Sequence, residues 1–289
     1  MNNIKKNHFK QGLSNIVSAH YSFIEPKKLD SREEIISDII IQIKENTNFS
    51  LGEFSNEEKL GIALARKIFG PSEYTELISF SKEIKKIKLI VEKTLQESFN
   101  QLPISGDISL YIIPFCNKAA SDDLGGVNGF AVEKNIFYIL ININNPNWEK
   151  SLVETIPHEY AHIVYTSYFE WNSILDGFVN EGLAEKFREL VVKGNVAPWS
   201  KALEKEKALE ELKKIPEKEI LNLFIDDSNV DFYVSYFFGT GDLQKWYGYS
   251  IGYWLIDEII STKKITLIEL FKKSPKEVFN LWKRKNPIL

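Results

Sequence analysis

Two histidines four residues apart, with a glutamate directly after the first, commit the middle of this chain to a helix. The stretch is Pro157-His-Glu-Tyr-Ala-His162. Side chains at i and i+4 share one helix face, so His158 and His162 can offer ring nitrogens to a single ion in the H-E-x-x-H arrangement. Glu159 lies about 100° further round the same helix, where it can reach a water at that ion without being a ligand itself. Pro157 removes one backbone hydrogen bond, so the helix either bends there or begins there with Pro157 in its first turn; both leave the 158/162 pairing intact. The plain alternative is two histidines on an ordinary helix face, hydrogen-bonded in the core.

A catalytic zinc takes three protein ligands and keeps a fourth position open. Asn180-Glu-Gly-Leu-Ala-Glu185 follows on the next expected helix, with Glu181 nineteen residues after His162. That separation leaves room for an exit turn, a loop through Glu170 to Ser173, and a returning helix. Glu181 and Glu185 are again four apart and face the same way. One can bind the metal while the other accepts the spare N–H of a ligand histidine. The competing reading is a solvated face shared with Lys186 and Arg188. Cys116 is the only cysteine, which excludes intrachain disulfides and any thiolate zinc site of the finger type, so zinc here would be held through imidazole and carboxylate. Cys116 itself reads as a small buried apolar residue, and His8 and His20 as ordinary positions.

The first hundred residues read as helices. Ser31-Arg-Glu-Glu34 and Ser55-Asn-Glu-Glu58 match the capping-box pattern, and a Lys/Glu-rich amphipathic stretch runs from about Ser72 to Leu102. The texture changes near Pro103. Ile108 to Phe115 is β-branched and aromatic and reads as a strand, a glycine-rich turn follows over Asp122–Gly129, and Ile136 to Asn144 is the strongest strand in the chain. Helical patterning resumes from Asn147, with helices expected over 148–168 and 176–192. A charged helix is expected over Ser200–Lys214, then an aromatic-rich stretch from Phe232 to Trp254. Thr266-Leu-Ile-Glu269 and Ser274-Pro-Lys-Glu277 start two short capped helices. The fold class expected is α+β, mainly helical, with a small sheet. With 44% apolar residues, a chain of this length has material for a sizeable core.

Composition narrows the partners. Thirty-six Lys and Arg against forty Asp and Glu leave a net charge of -4, with no basic excess to neutralise a phosphate backbone, so nucleic acid is not expected. No run approaches the roughly 18 apolar residues of a membrane span, and Met1 to His8 lacks the apolar core of a signal peptide. The expectation is a soluble cytoplasmic protein.

His158-Glu-x-x-His162 followed by Asn180-Glu-x-x-x-Glu185 resembles the gluzincins, the thermolysin-like clan of zinc peptidases. The Glu181-Gly-Leu-Ala-Glu185 wording and Tyr247-Gly-Tyr-Ser-Ile-Gly-Tyr253 are more similar still to a bacterial domain of unknown function described as zinc-dependent proteases. The resemblance spans about Gly125 to Tyr253. It implies a zincin-like domain over 103–289 (sheet 103–145, the two site helices, and a helical part over 200–289) behind a helical region over 1–102. It further implies that Glu181 is the third zinc ligand and Glu185 the partner of His158, where thermolysin has an aspartate, with Glu159 as general base. Tyr249, within a Tyr-x-x-Gly pattern ending at Gly252, would steady the oxyanion, with Tyr253 as the alternative; aromatics at helical spacing are otherwise usually core. An edge strand, read as Ile136–Asn144, would bind a peptide or protein substrate. The rival from another class is a zinc-stabilised binding or regulatory protein that keeps the site and hydrolyses nothing.

Overall fold

The computed structural model describes residues 7–10, 18–29, 31–46, 57–70, 77–133, 135–193, 196–222, 235–262 and 265–283. Five strands form one mixed sheet: β1 (Asn7–Lys10), β2 (Ser18–Phe23), β3 (Ile108–Pro114), β4 (Val127–Glu133) and β5 (Ile136–Ile141). Their order is β1-β2-β3-β5-β4. β2 and β5 pair in parallel with β3, while β1 and β4 are antiparallel additions at the two ends. With helices accounting for most of the remaining structure, the chain is mainly helical α+β, as expected.

The chain divides into two compact units, residues 1–163 and 164–289. The first is built on the sheet. Every residue of β3 and β5 is buried, the pattern of strands covered on both faces, and it explains their near-continuous apolar sequences. Tyr111, Ile113 and Phe115 beside Ile136, Tyr138 and Leu140 form a core with helices α1 (Arg32–Asn46) and α2 (Glu57–Phe69). Phe130, Tyr138 and Tyr111 stack in succession across it, with centroids 4.8 and 5.6 Å apart. Helices α3 (Ile84–Gln101) and α4 (Lys118–Asp123) belong to the same unit. Helix α5 (Trp148–Thr166) continues through Pro157 rather than starting there, and the unit division falls within it.

The second unit is helical. Its central helix α6 (Ile174–Val192) is capped by Ser173, whose hydroxyl accepts from the Asp176 N–H at 3.2 Å. Around it lie α7 (Lys205–Lys214), α8 (Glu217–Asn222), α9 (Tyr247–Thr262) and two short helices, Leu267–Leu270 and Pro275–Lys283. Both short helices carry their expected reciprocal caps, Thr266 with Glu269 and Ser274 with Glu277. Among the described residues no helix is long and apolar enough to cross a membrane.

Several local expectations change. The first hundred residues also supply β1 and β2, short segments in which at least every second residue is polar; they pair with each other, and β2 pairs with β3. β5 ends at Ile141 and is hydrogen-bonded on both sides, so it is not an edge; β4 is. The glycine-rich turn is confined to residues 124–126, and Val127 to Gly129 already belong to β4. The charged helix over 200–214 is broken into a 3-10 turn, Pro198–Lys201, and α7. The cap at Ser31 forms, its hydroxyl accepting from the Glu34 N–H at 3.1 Å; the box at Ser55, the start of the stretch at Ser72 and the aromatic run from Phe232 begin outside the described residues.

The Tyr160 hydroxyl donates to the Leu102 carbonyl at 2.5 Å, tying α5 to the end of α3. Tyr160→Phe leaves that buried acceptor without this donor, and the expected loss is about 1–3 kcal/mol. A lower denaturant midpoint at unchanged m-value is the result to look for.

Candidate metal centre

Helix α5 delivers its two histidines on consecutive turns. The Nε2 atoms of His158 and His162 stand 3.0 Å apart, with ring planes at 89°. A neutral imidazole has one donor and one acceptor nitrogen, so so short an approach is met by one shared proton or by a cation that both nitrogens face. Among the described residues, His158, His162 and Glu181 each offer a ligand atom, and these atoms all lie within 4.8 Å of one another. Donors bound at about 2.0–2.2 Å to one tetrahedral zinc stand about 3.4 Å apart, a value inside the observed range. His162 and Glu181 are buried and His158 is partly so. Two imidazoles and a carboxylate form a nitrogen–oxygen donor set suited to zinc. The residues present fit such an ion.

Glu159 is also buried, at 5% exposure. Its carboxylate arm lies against β4 at Gly129: a Cβ on that glycine would stand 2.6 Å from Glu159 Cδ and nearer still to Cγ and Oε1.

Glu185 is fully buried. Its oxygens accept from Arg188 Nε at 3.2 Å, Trp199 Nε1 at 2.8 Å and Ser200 Oγ at 2.6 Å, and Arg188 Nη2 completes a buried ion pair at 3.0 Å. The solvated face considered for Glu181 and Glu185 is therefore absent: α6 buries Ile174, Leu175, Gly177 through Glu185, Phe187 and Arg188. Arg188, Trp199 and Ser200 were not singled out by the sequence. The i, i+3 spacing of Glu185 and Arg188 was the available signal, but it reads equally well as a surface pair.

The two tyrosines part company. The Tyr253 hydroxyl donates to Glu189 at 3.2 Å and accepts from Lys186 at 3.4 Å, with the ammonium 4.7 Å from its ring centre. Burial, opposed by Lys186 and reinforced by Glu189, leaves its phenol pushed up to about 12. Glu189 is eight residues beyond Glu181 on α6, roughly 12 Å along the axis. Tyr249 is instead half-buried among Phe237, Phe238 and Trp246, with ring centres 5.6–5.9 Å away.

The family model described as "Predicted Zn-dependent protease (DUF2268)" matches residues 87–280. The chain belongs to this family. The match takes in both site helices, the edge strand β4 and the aromatic start of α9, and it agrees with a His/His/Glu group able to hold zinc. No curated protein and no solved structure gives a match to the chain.

Beside Glu181 lies a contact the sequence does not announce. Gly182, its neighbour on α6, meets Gly252 of α9 backbone to backbone. A Cβ on Gly182 would stand 2.7 Å from Ile256 Cγ1 and closer to the Gly252 carbonyl, and one on Gly252 would reach 3.1 Å from the Gly182 nitrogen and press on the Phe178 carbonyl. Backbone cannot rotate away as a side chain does. Gly252→Ala should force α9 off α6, with a loss of about 1–3 kcal/mol from overpacking and weaker zinc retention through displacement of Glu181. Thermal unfolding of the metal-free chain and a competing-chelator titration read the two effects separately.

Proposed function

We propose that this chain is a zinc-dependent peptidase of the gluzincin type. The convergence of His158, His162 and Glu181, with Glu159 directly beside the first of them, carries the reading. The family's description points the same way. Zinc held by these three residues would supply a Lewis acid that polarises a peptide carbonyl and lowers the pKa of water towards 7.

The chain's own residues do the rest. Glu159 takes the proton from the attacking water and returns it to the leaving amine. Glu185 is steadied by Arg188, Trp199 and Ser200; the role assigned to it in this reading is to accept the second N–H of His158, since a carboxylate that orients a ligand histidine also raises its basicity. Tyr249 steadies the oxyanion in preference to Tyr253, whose hydroxyl lies against Glu189, two turns along α6 from Glu181. A peptide or protein substrate in extended form adds to the free edge of β4 as a further strand, which brings its backbone past Gly129 and the carboxylate of Glu159.

Zinc-loaded protein should hydrolyse fluorescein-labelled casein or members of a mixed peptide library. Glu159→Gln should lower turnover by roughly 10²–10⁴-fold while keeping about one zinc per chain. His162→Ala and Glu181→Ala should lose the metal, and a chelator should stop the wild type until zinc is restored. Turnover at the wild-type rate in purified Glu159→Gln would sink the assignment of the base. Stoichiometric zinc without hydrolysis of any peptide would favour the binding or regulatory alternative.

A further inference from the structure

Gly129 is a glycine that its own backbone does not require. It lies within β4, paired with Ile139 of β5. It is not among the described glycines whose φ is positive, at positions 70, 106, 125, 126, 239 and 241. Glycine inside a strand weakens it, and it persists there where a bulge, a bend or a close approach demands it. The ladder's irregularity falls later, between Ala131 and Glu133, so no bulge accounts for Gly129. The close approach does: the volume a Cβ would fill is occupied by Cγ, Cδ and Oε1 of Glu159. Phe130 points to the opposite side of the sheet, into the core with α1 and α2, so the alternation of side chains along β4 turns position 129 toward α5.

We infer that Gly129 is a positioning residue for Glu159: the missing side chain leaves the slot in which the carboxylate lies and so fixes where the base meets the substrate. This rests on the role of Glu159 given above. The atoms in the slot are the far end of a flexible side chain, so a methyl group at position 129 expels the carboxylate instead of breaking the strand. Rotation about two χ angles is inexpensive, whereas a general base displaced by about 1 Å loses on the order of a hundredfold in rate.

The experiment uses the full chain, with Gly129→Ala made in the wild-type and in the Glu159→Ala backgrounds. Thermal unfolding of both pairs comes first. The methyl should shift Tm less favourably beside Glu159 than once residue 159 is alanine and the slot is empty; equal shifts in the two backgrounds would overturn the contact. With labelled casein as the probe, Gly129→Ala should lower kcat roughly a hundredfold with KM and zinc affinity held near wild type. A raised KM at unchanged kcat would overturn the positioning role and assign Gly129 to substrate docking alone. If the wild type itself cleaves no casein, the peptidase reading is what fails, and the two-background Tm comparison still decides whether Gly129 makes the place for Glu159.

Discussion

Putting several ionisable side chains into a protein interior is costly unless each charge finds a partner there. Glu159, His162, Glu181 and Glu185 are all at or below 6% exposure. For Glu185 the partner is Arg188, buried with it, and Trp199 and Ser200 add donors. For His158, His162 and Glu181 the proposed partner is a divalent cation, which would satisfy two imidazole lone pairs and a carboxylate together. Each feature that positions the site follows from this demand. α5 must stay helical through Pro157, so that His158 and His162 fall on consecutive turns. α6 must be buried almost all round, so that Glu181 meets a dry environment in which an ion–carboxylate attraction is strong.

The parts of this arrangement that were legible in the sequence are the ones decided within a few residues. The i, i+4 spacing of the histidines, the Thr266/Glu269 and Ser274/Glu277 caps, and the near-continuous apolar runs of β3 and β5 are local facts, and the structure has them where the sequence put them. β1, β2 and β4 were not legible. Ser-Ala-His-Tyr-Ser-Phe and Val-Asn-Gly-Phe-Ala-Val-Glu are weak strands by composition; they are strands because β3 and β5 offer unpaired edges, a fact about residues up to ninety positions away. The misplaced edge strand has the same origin. The strongest strand signal belongs to β5 because β5 is central, and an edge strand that must stay free for something else is under no pressure to look apolar.

Three glycines carry a second kind of information that a one-dimensional reading loses. Gly129, Gly182 and Gly252 sit in the interiors of regular elements, where glycine costs about 0.5–1 kcal/mol relative to alanine. Read along the chain, Gly125 to Gly129 merge into one flexible turn, and Gly252 becomes the tail of a tyrosine motif. In space, Gly125 and Gly126 make a turn with positive φ, whereas Gly129 makes room for a carboxylate and Gly182 and Gly252 make room for each other's backbone. The residue type is shared; the physical reason is not. Only the identity of the neighbouring atom separates them, and that neighbour is thirty residues away for Gly129 and seventy for Gly182.

The nature of that neighbour also separates stability from chemistry in this fold. At the crossing of α6 and α9 the obstructing atoms are main chain, so any added volume is resisted by two packed helices and registers first as lost stability. At β4 the obstructing atoms end a side chain with free rotamers, so added volume registers first as a moved functional group. The protein thus fixes its carboxylates by two means of unequal stiffness, a rigid backbone contact beside Glu181 and a compliant slot around Glu159. The difference suits the tasks proposed for them: a metal ligand must hold one distance to within a few tenths of an ångström, while a general base must swing between an attacking water and a departing amine.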